Sequence, residues 1–475
     1  MESKEKMIRG GCAGAMMGEK MAAQAWQDDP QLGEFGDERL DRAGGDLLAA
    51  MVTKRTVNVR RLAGKRSQEV RFGRFLHNEN ITAEAMLASA AKRVRGRAEG
   101  RHVLVIQDTT EINYADHVKS KRGFGTVGNG EDIGLFLHPL LVVEASTGGI
   151  LGLAGSLVMN RRRRPKTPAV QRPLAQKESR RWLAGARQAG RVLQAAASIT
   201  MVADRESDIY EEFACRPDHV QLLTRAAQDR CLADGRRLFT AARTNPEATQ
   251  YMIDVPAKGK RKPRQTMVCL RYGEVTLCRP RRGRHNAQVP PTVPVRVVHV
   301  EEINPSRGQP PVTWTLLTTH AVDTVADAQR IVAWYRLRWI IEELNRTLKS
   351  QGLDVEESQI KKASVIRKLC VIALIAAMHV IQLVRARDGH TKQKLADGFD
   401  KEDRPLLEKL NAQMQGKTEK QKNPHARGTL AWASWIIGRL GGWTGYYKKP
   451  GPKVMHIGLT QFHAAKQGWL LAHGP

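Results

Sequence analysis

Two stretches of this chain run almost without a polar residue and then stop at an aspartate: His102–Asp108 (HVLVIQD) and Ser198–Asp204 (SITMVAD). Apolar runs that do not alternate with polar residues indicate strands buried on both faces, which places the chain among layered α/β folds. In open α/β sheets, ligands bind beyond the carboxyl ends of such strands, where both acids fall. One acid at a strand end is ordinary, because Asp favours turns and helix starts. Arg205, Glu206 and Asp208 could equally be helix-start chemistry. Two such strands strengthen the case for a site without deciding it.

A third carboxylate lies far downstream, Glu342 in WYRLRWIIEELNRTLK. A helix is expected from about Val325 through Lys349. At about 100° per residue, Tyr335, Arg338, Glu342, Arg346 and Lys349 fall within a sector of roughly 80°. Leu337, Ile340, Ile341, Leu344 and Leu348 make an apolar stripe on the opposite side. The bland alternative is a solvated face of i,i+4 pairs, Arg338–Glu342 and Glu342–Arg346. Tyr335 and Trp339 add rings beside those charges, the mixture that a phosphate-and-base surface needs.

Charge selects among partners. Lys and Arg number 77 against 48 Asp and Glu, for a net charge of +29 and a pI near 10.2. Such an excess attracts polyanions, mostly through their phosphates, although a merely basic or ribosome-associated protein would share it. Three converging carboxylates repel unless cations neutralise them, and a pair of Mg²⁺ ions suits phosphoryl transfer on a nucleic acid. The expected activity is that of a nuclease or DNA-strand transferase.

The six cysteines (Cys12, Cys215, Cys231, Cys269, Cys278, Cys370) show no CxxC or zinc spacing, which fits a reducing cytosol. Cys269 and Cys278 flank an expected hairpin turn at Tyr272–Glu274, so either a cross-strand pair or two buried thiols is open. No signal peptide is evident, and Leu369–Ile381 reads as a buried helix too short to span a bilayer. A soluble protein is expected.

Along the chain, residues to about Ala25 are expected to be loosely ordered. Helices follow over 26–94, with Thr82 as an N-cap and basic residues Arg39, Arg42, Arg60, Arg61, Lys65 and Arg66 interleaved. They read either as a DNA-binding module or as a solvated helical cap. Next come the strand ending at Asp108, a hairpin turning at Thr147–Gly149, a helix over 177–197, the Asp204 strand, a helix over 207–214 and the strand VQLLTRA. Short strands over 236–319 form a β-rich insertion before the Glu342 helix and a helix over 362–387. Residues 416–429 read as a linker or exposed loop, and the Trp- and Tyr-containing tail as a packing or interface segment.

Tyr335, Arg338, Glu342 and Lys349 match the Tyr-x2-Arg-x3-Glu-x6-Lys signature of bacterial DDE transposases of the IS-four type, which the chain resembles. The resemblance extends to QDTT around Asp108, ADRESDI around Asp204, EEINP at 301–305, WTLLT at 314–318 and GRLGG at 438–442. It spans about Phe35 to Leu470. It implies an α/β, ribonuclease-H-like mixed-sheet core at 95–390, with the β-rich insertion at 236–319. It also implies a helical DNA-end-binding domain at 26–94 and a C-terminal helical dimerisation region at 391–475.

By the same resemblance, Asp108, Asp204 and Glu342 would be catalytic and hold two Mg²⁺ ions, with Mn²⁺ able to substitute. Tyr335, Arg338, Lys349 and Arg225 would contact phosphates, and Trp314 would stack on a flipped base. Arg346 joins these on the cationic helix face, and Arg39 and Arg42 are candidates in the N-terminal helices. The partners would be double-stranded DNA, as transposon ends and target, and a second copy of the chain in a synaptic homodimer, in a bacterial cytoplasm close to the nucleoid. A nuclease without strand transfer and a non-catalytic DNA-binding regulator are the alternatives. The N-terminal extension departs from the family pattern, and the basic run Arg161–Lys166 reads as a DNA-lining segment or a solvated loop.

Overall fold

The computed structural model describes residues 32–115, 120–128, 130–161, 167–168, 171–255, 263–281, 289–305, 310–349 and 352–473. The expected loose N-terminal segment, Cys12 and Arg162–Lys166 of the basic run lie outside the described residues.

Four helices come first: α1 (Glu38–Lys54), α2 (Val59–Leu62), α3 (Arg66–His77) and α4 (Ala83–Ala98). Their starts are local chemistry. Asp37 accepts the Arg39 N–H to begin α1, and Thr82 accepts the Ala85 N–H at 3.1 Å to begin α4. The sheet then opens with β1 (His102–Gln107), β2 (Thr110–Asn113), β3 (Gly125–Val127), β4 (Asp132–Glu144) and β5 (Ile150–Met159). β4 and β5 turn at Thr147–Gly149 as the sequence predicts, with Gly148 at φ +71°.

Helix α5 (Arg180–Val192), β6 (Ser198–Ala203), α6 (Tyr210–Cys215), β7 (Val220–Arg225) and α7 (Leu238–Thr244) follow. β1, β6 and β7 run parallel, and β4 lies antiparallel on the other side of β1. The strands β8 (Glu247–Val255), β9 (Arg264–Cys278), β10 (Thr292–Glu302) and β11 (Thr313–Thr318) do not form a separate body. They extend the same sheet, in the order β2-β4-β1-β6-β7-β11-β10-β9-β8, with β3 and β5 also paired to β4. This large mixed sheet in an α/β setting is consistent with a ribonuclease-H-like core.

The expected turn at Tyr272–Glu274 does not form. β9 passes straight through it and pairs with β10 from Cys278↔Thr292 to Val268↔Glu302. An unbroken antiparallel partner outweighs the weak turn preference of Gly273. Cys269 and Cys278 therefore sit nine positions apart on one strand, about 30 Å by strand rise, and cannot bridge. Both are free thiols.

After the sheet come α8 (Val325–Leu337), α9 (Trp339–Lys349), α10 (Ala363–Ala386), α11 (Asp403–Met414), α12 (Leu430–Leu440) and α13 (Pro452–His473). Helix α10 extends the apolar stretch seen in sequence to 24 residues, long enough by length and composition to cross a membrane, yet most of it is buried inside the protein. It packs against α1, α4, β5, α12 and α13. One continuous core thus joins N-terminal residues such as Leu47 and Phe72 to C-terminal ones such as Trp432 and Phe462. Lys368 of α10 donates to the carbonyls of Leu76 (3.1 Å) and Asn78 (2.6 Å), supplying donors that the end of α3 lacks.

Candidate active site

Sheet register places the first two acids. Ile106 of β1 pairs with Val202 of β6, and continuing that parallel register two residues brings Asp108 level with Asp204. Ala203 pairs with Thr224 of β7, so one further step brings Arg225 level with Asp204. Two acids and an arginine thereby leave the carboxyl ends of three adjacent parallel strands, which lie about 4.8 Å apart.

The third acid arrives on a helix that is not continuous. The sequence predicts one helix across Val325–Lys349; instead α8 ends at Leu337 and α9 begins at Trp339. At the joint, the Arg338 N–H bonds back to the Tyr335 carbonyl (3.0 Å) and the Ile341 N–H to the Arg338 carbonyl (3.2 Å). Both are tightened i→i−3 bonds of the 3₁₀ kind. Arg338 gains from the tightening, because its guanidinium lies 2.6 Å from Glu342 and 3.8 Å from Asp204. Tyr335 is consequently not on an open cationic face. It is buried, and its hydroxyl donates to Asp204 Oδ1 at 3.1 Å.

Electrostatics separates Asp108 from the other acids. Burial pushes its carboxyl up to about 6, against the Thr109 N–H bond and Arg338, which pull it down; Glu206 and Asp204 push it further up. Among the described residues no ion pair neutralises it. Burial, with Asp204 adding to it, also pushes the Tyr335 phenol up to about 12. Tyr335 therefore stays protonated and keeps donating to Asp204.

Three carboxylates make an oxygen-only donor set, the kind that a hard divalent cation takes and zinc does not prefer. Asp108, desolvated and unpaired, carries the fit. The spacing differs from a ready-made ion cage, since among the described residues no three His, Cys, Asp or Glu side chains gather closely enough to hold a metal. The Arg338 guanidinium lies between Asp204 and Glu342 and offsets their mutual repulsion.

A cleft of about 1020 Å³ opens beside the acids, lined among others by Arg225, Trp314, Tyr335, Arg338 and Trp339. Trp314 meets Tyr335 edge to face, with ring centres 5.6 Å apart, and Arg225 donates to the Thr313 carbonyl at 3.0 Å. Arg346 is exposed and lies over the Trp339 ring at 5.4 Å. Lys349 pairs with Glu356 at 3.1 Å, and Glu356 also accepts the Asn113 N–H of β2. No contact links Arg39 or Arg42 to the acids among the described residues. Both are exposed on α1, where Arg39 pairs with Asp37.

Sequence reasoning missed the polar scaffold behind Asp108. Arg181 of α5 donates to Thr109 Oγ1 and to Glu206, both at 2.7 Å. Thr109 meets His138 Nδ1 at 2.9 Å, His138 meets Gln107 at 3.2 Å, and Gln107 donates to Glu212 at 3.1 Å. Burial holds His138 neutral by pushing it down to about 3 and pushes Glu212 up to about 8. The available signals were polar residues inside otherwise apolar runs: His138 within LFLHPLLVV and Gln107 just before Asp108.

A mixed α/β sheet carrying acids at the ends of neighbouring parallel strands, met by an acid from a later helix, defines a candidate phosphoryl-transfer domain. Residues 170–379 match the family model of the transposase DDE domain. The match takes in Asp204, Glu342, β6 to β11, α8, α9 and most of α10, while Asp108 lies before it. The match covers somewhat less than half of the chain and makes this segment similar to that domain.

Proposed function

We propose that this protein is a cut-and-paste DNA transposase of the IS-four type, most like the Tn-five transposase, acting on the terminal inverted repeats of its own element. The observation that carries the reading is the alignment of Asp108 with Asp204 on adjacent strands, tied to Glu342 through Arg338. Asp108, Asp204 and Glu342 would hold Mg²⁺, or Mn²⁺ in its place, and bound ions supply nucleophile activation and charge stabilisation for phosphoryl transfer.

The chain's own residues would do the rest. Tyr335 fixes the Asp204 carboxylate by its hydrogen bond. Arg338 offsets the charge of Asp204 and Glu342 and would offer its guanidinium to a phosphate beside them. Arg225 neutralises the backbone at the level of the acids, with Arg346 and Lys349 further along the helix. Trp314 offers a face for a base pulled from the duplex, which offsets part of the few kcal/mol that unstacking costs. The sequence of steps would be end nicking to free a 3′-hydroxyl, attack on the opposite strand to give a hairpin, hairpin opening, and attack of the 3′-hydroxyl on target DNA. The N-terminal helices would read the terminal repeat, and residues 391–475 would pair two subunits, in the bacterial cytoplasm near the nucleoid.

The test uses DNA carrying the short inverted repeats that flank the gene, the full chain and Mg²⁺. End-specific cuts followed by joined products are expected. Cuts without joining would leave a nuclease, and binding without cuts a regulator.

A further inference from the structure

A second groove, of about 1630 Å³, lies between α4, β5 and α5, on the side of the sheet from which Arg181 reaches Thr109 next to Asp108. Its chemistry differs from that of the aromatic cleft beside Tyr335. Among the described residues its lining holds seven Lys and Arg side chains against two carboxylates, Glu84 and Glu211, and includes no aromatic ring.

The cations are arranged. Arg180, Arg187 and Arg191 of α5 fall within roughly 40° of one another at about 100° per residue, and eleven positions span about 16 Å. The opposite stripe of the helix, with Trp182, Leu183, Ala186 and Ala189, is buried, so the arginine row faces outward. Arg95 of α4 faces it across the groove. These four arginines are exposed; Arg95 donates to the Val192 carbonyl and Arg180 to the Ala175 carbonyl, both at 3.2 Å, and no ion pair joins any of the four to a carboxylate among the described residues. Arg181 at the inner end is different, held by Thr109 and Glu206, and it ties the groove to the acid site.

A row of guanidinium groups about 16 Å long, with no carboxylate partner among the described residues, matches some five steps of a duplex strand at 3.4 Å per phosphate. Without rings to stack bases, such a surface holds phosphates and ignores sequence. We infer that the α4–α5 groove seats the backbone of duplex DNA of arbitrary sequence, the target into which a cut end is joined. The inference rests on the transposase reading for the identity of that duplex, and on the groove alone for its binding.

The test compares the full chain with a variant carrying Arg180→Gln, Arg187→Gln and Arg191→Gln; Arg95→Gln with Lys92→Gln serves as an independent variant on the facing helix. The binding arm uses a random-sequence duplex without inverted repeats, titrated across salt concentrations. Removing three phosphate contacts should flatten the slope of log affinity against log salt by roughly 2–3. The reaction arm uses repeat-ended DNA with Mg²⁺: joining to target should fall at least tenfold while end cleavage stays within about twofold. An unchanged salt slope in both variants would overturn the groove as a DNA track. A flattened slope with cleavage lost as severely as joining would overturn target DNA as its occupant. If the unaltered chain cuts nothing, the transposase reading fails, and the binding arm still decides the groove.

Discussion

The Arg338 guanidinium lies 2.6 Å from the Glu342 carboxylate and 3.8 Å from Asp204, so the cation at the joint between two helices offsets the repulsion between these two acids. The side chain is mostly buried, which makes the charge pairing count for more than on an open surface. If the acids bind ions as proposed, Arg338 and those ions compete for the same carboxylates.

Arg338→Ala should therefore destabilise the metal-free protein by about 1–2 kcal/mol, the scale of a lost charge-assisted hydrogen bond. Adding MgCl2 should then raise its melting temperature more than it raises that of the unaltered chain. Equal Mg²⁺-induced shifts would show that Arg338 and the ions do not share the site.

Asp108 gives a pH signature. Its folded pKa is raised from an ordinary 3.8 to about 6, so the folded state holds the extra proton. The stability this contributes is full below about 4 and is lost as pH rises through about 6. Asp108→Asn keeps the shape without the charge. Its urea midpoint should exceed that of the unaltered protein at pH 7.5, with the gap closing toward pH 4. A gap that stays constant across the range would mean that Asp108 is not the desolvated acid described above.

Trp314 faces Tyr335 in the cleft beside the acids. If it receives a flipped base, Trp314→Ala should slow hairpin formation by roughly 5- to 150-fold, the equivalent of about 1–3 kcal/mol per stacked base. The first nick should change much less. Equal slowing of both steps, resolved on denaturing gels, would point to lost packing instead.

Lys368 of α10 caps the end of α3, one polar tie beside the apolar packing of α10 on the N-terminal helices. Lys368→Met keeps the apolar stem but removes the donor to Leu76 and Asn78. A loss of about 1–3 kcal/mol in chemical denaturation is expected from the orphaned carbonyls. An unchanged midpoint would mean that water replaces the ammonium without cost.

What could be read in the sequence was what local chemistry decides. The acid-terminated strands, the Thr82 cap and the Thr147–Gly149 turn follow from short-range apolar patterning and turn residues, and the structure places them as expected. Gly273 misled because β10 supplies a partner along the whole of β9, a fact of pairing between distant segments. The break at Arg338 was invisible for a related reason. The helical pattern runs on without a Gly or Pro, and what tightens the turn is a guanidinium reaching an acid from β6. His138, Gln107 and Glu212 escaped notice because each is satisfied by partners remote in sequence. The pairing of Lys349 with Glu356 was likewise out of reach, since Glu356 lies in a separate short turn beyond the helix.

Whether Asp108, Asp204 and Glu342 work as one site is decided by single-turnover cleavage of repeat-ended DNA. Asp108→Asn, Asp204→Asn and Glu342→Gln should each cut at least about a thousandfold more slowly with Mg²⁺, since each removes several kcal/mol of transition-state stabilisation. End binding should stay within about threefold in all three. Cleavage at the unaltered rate by any one of them would contradict the account.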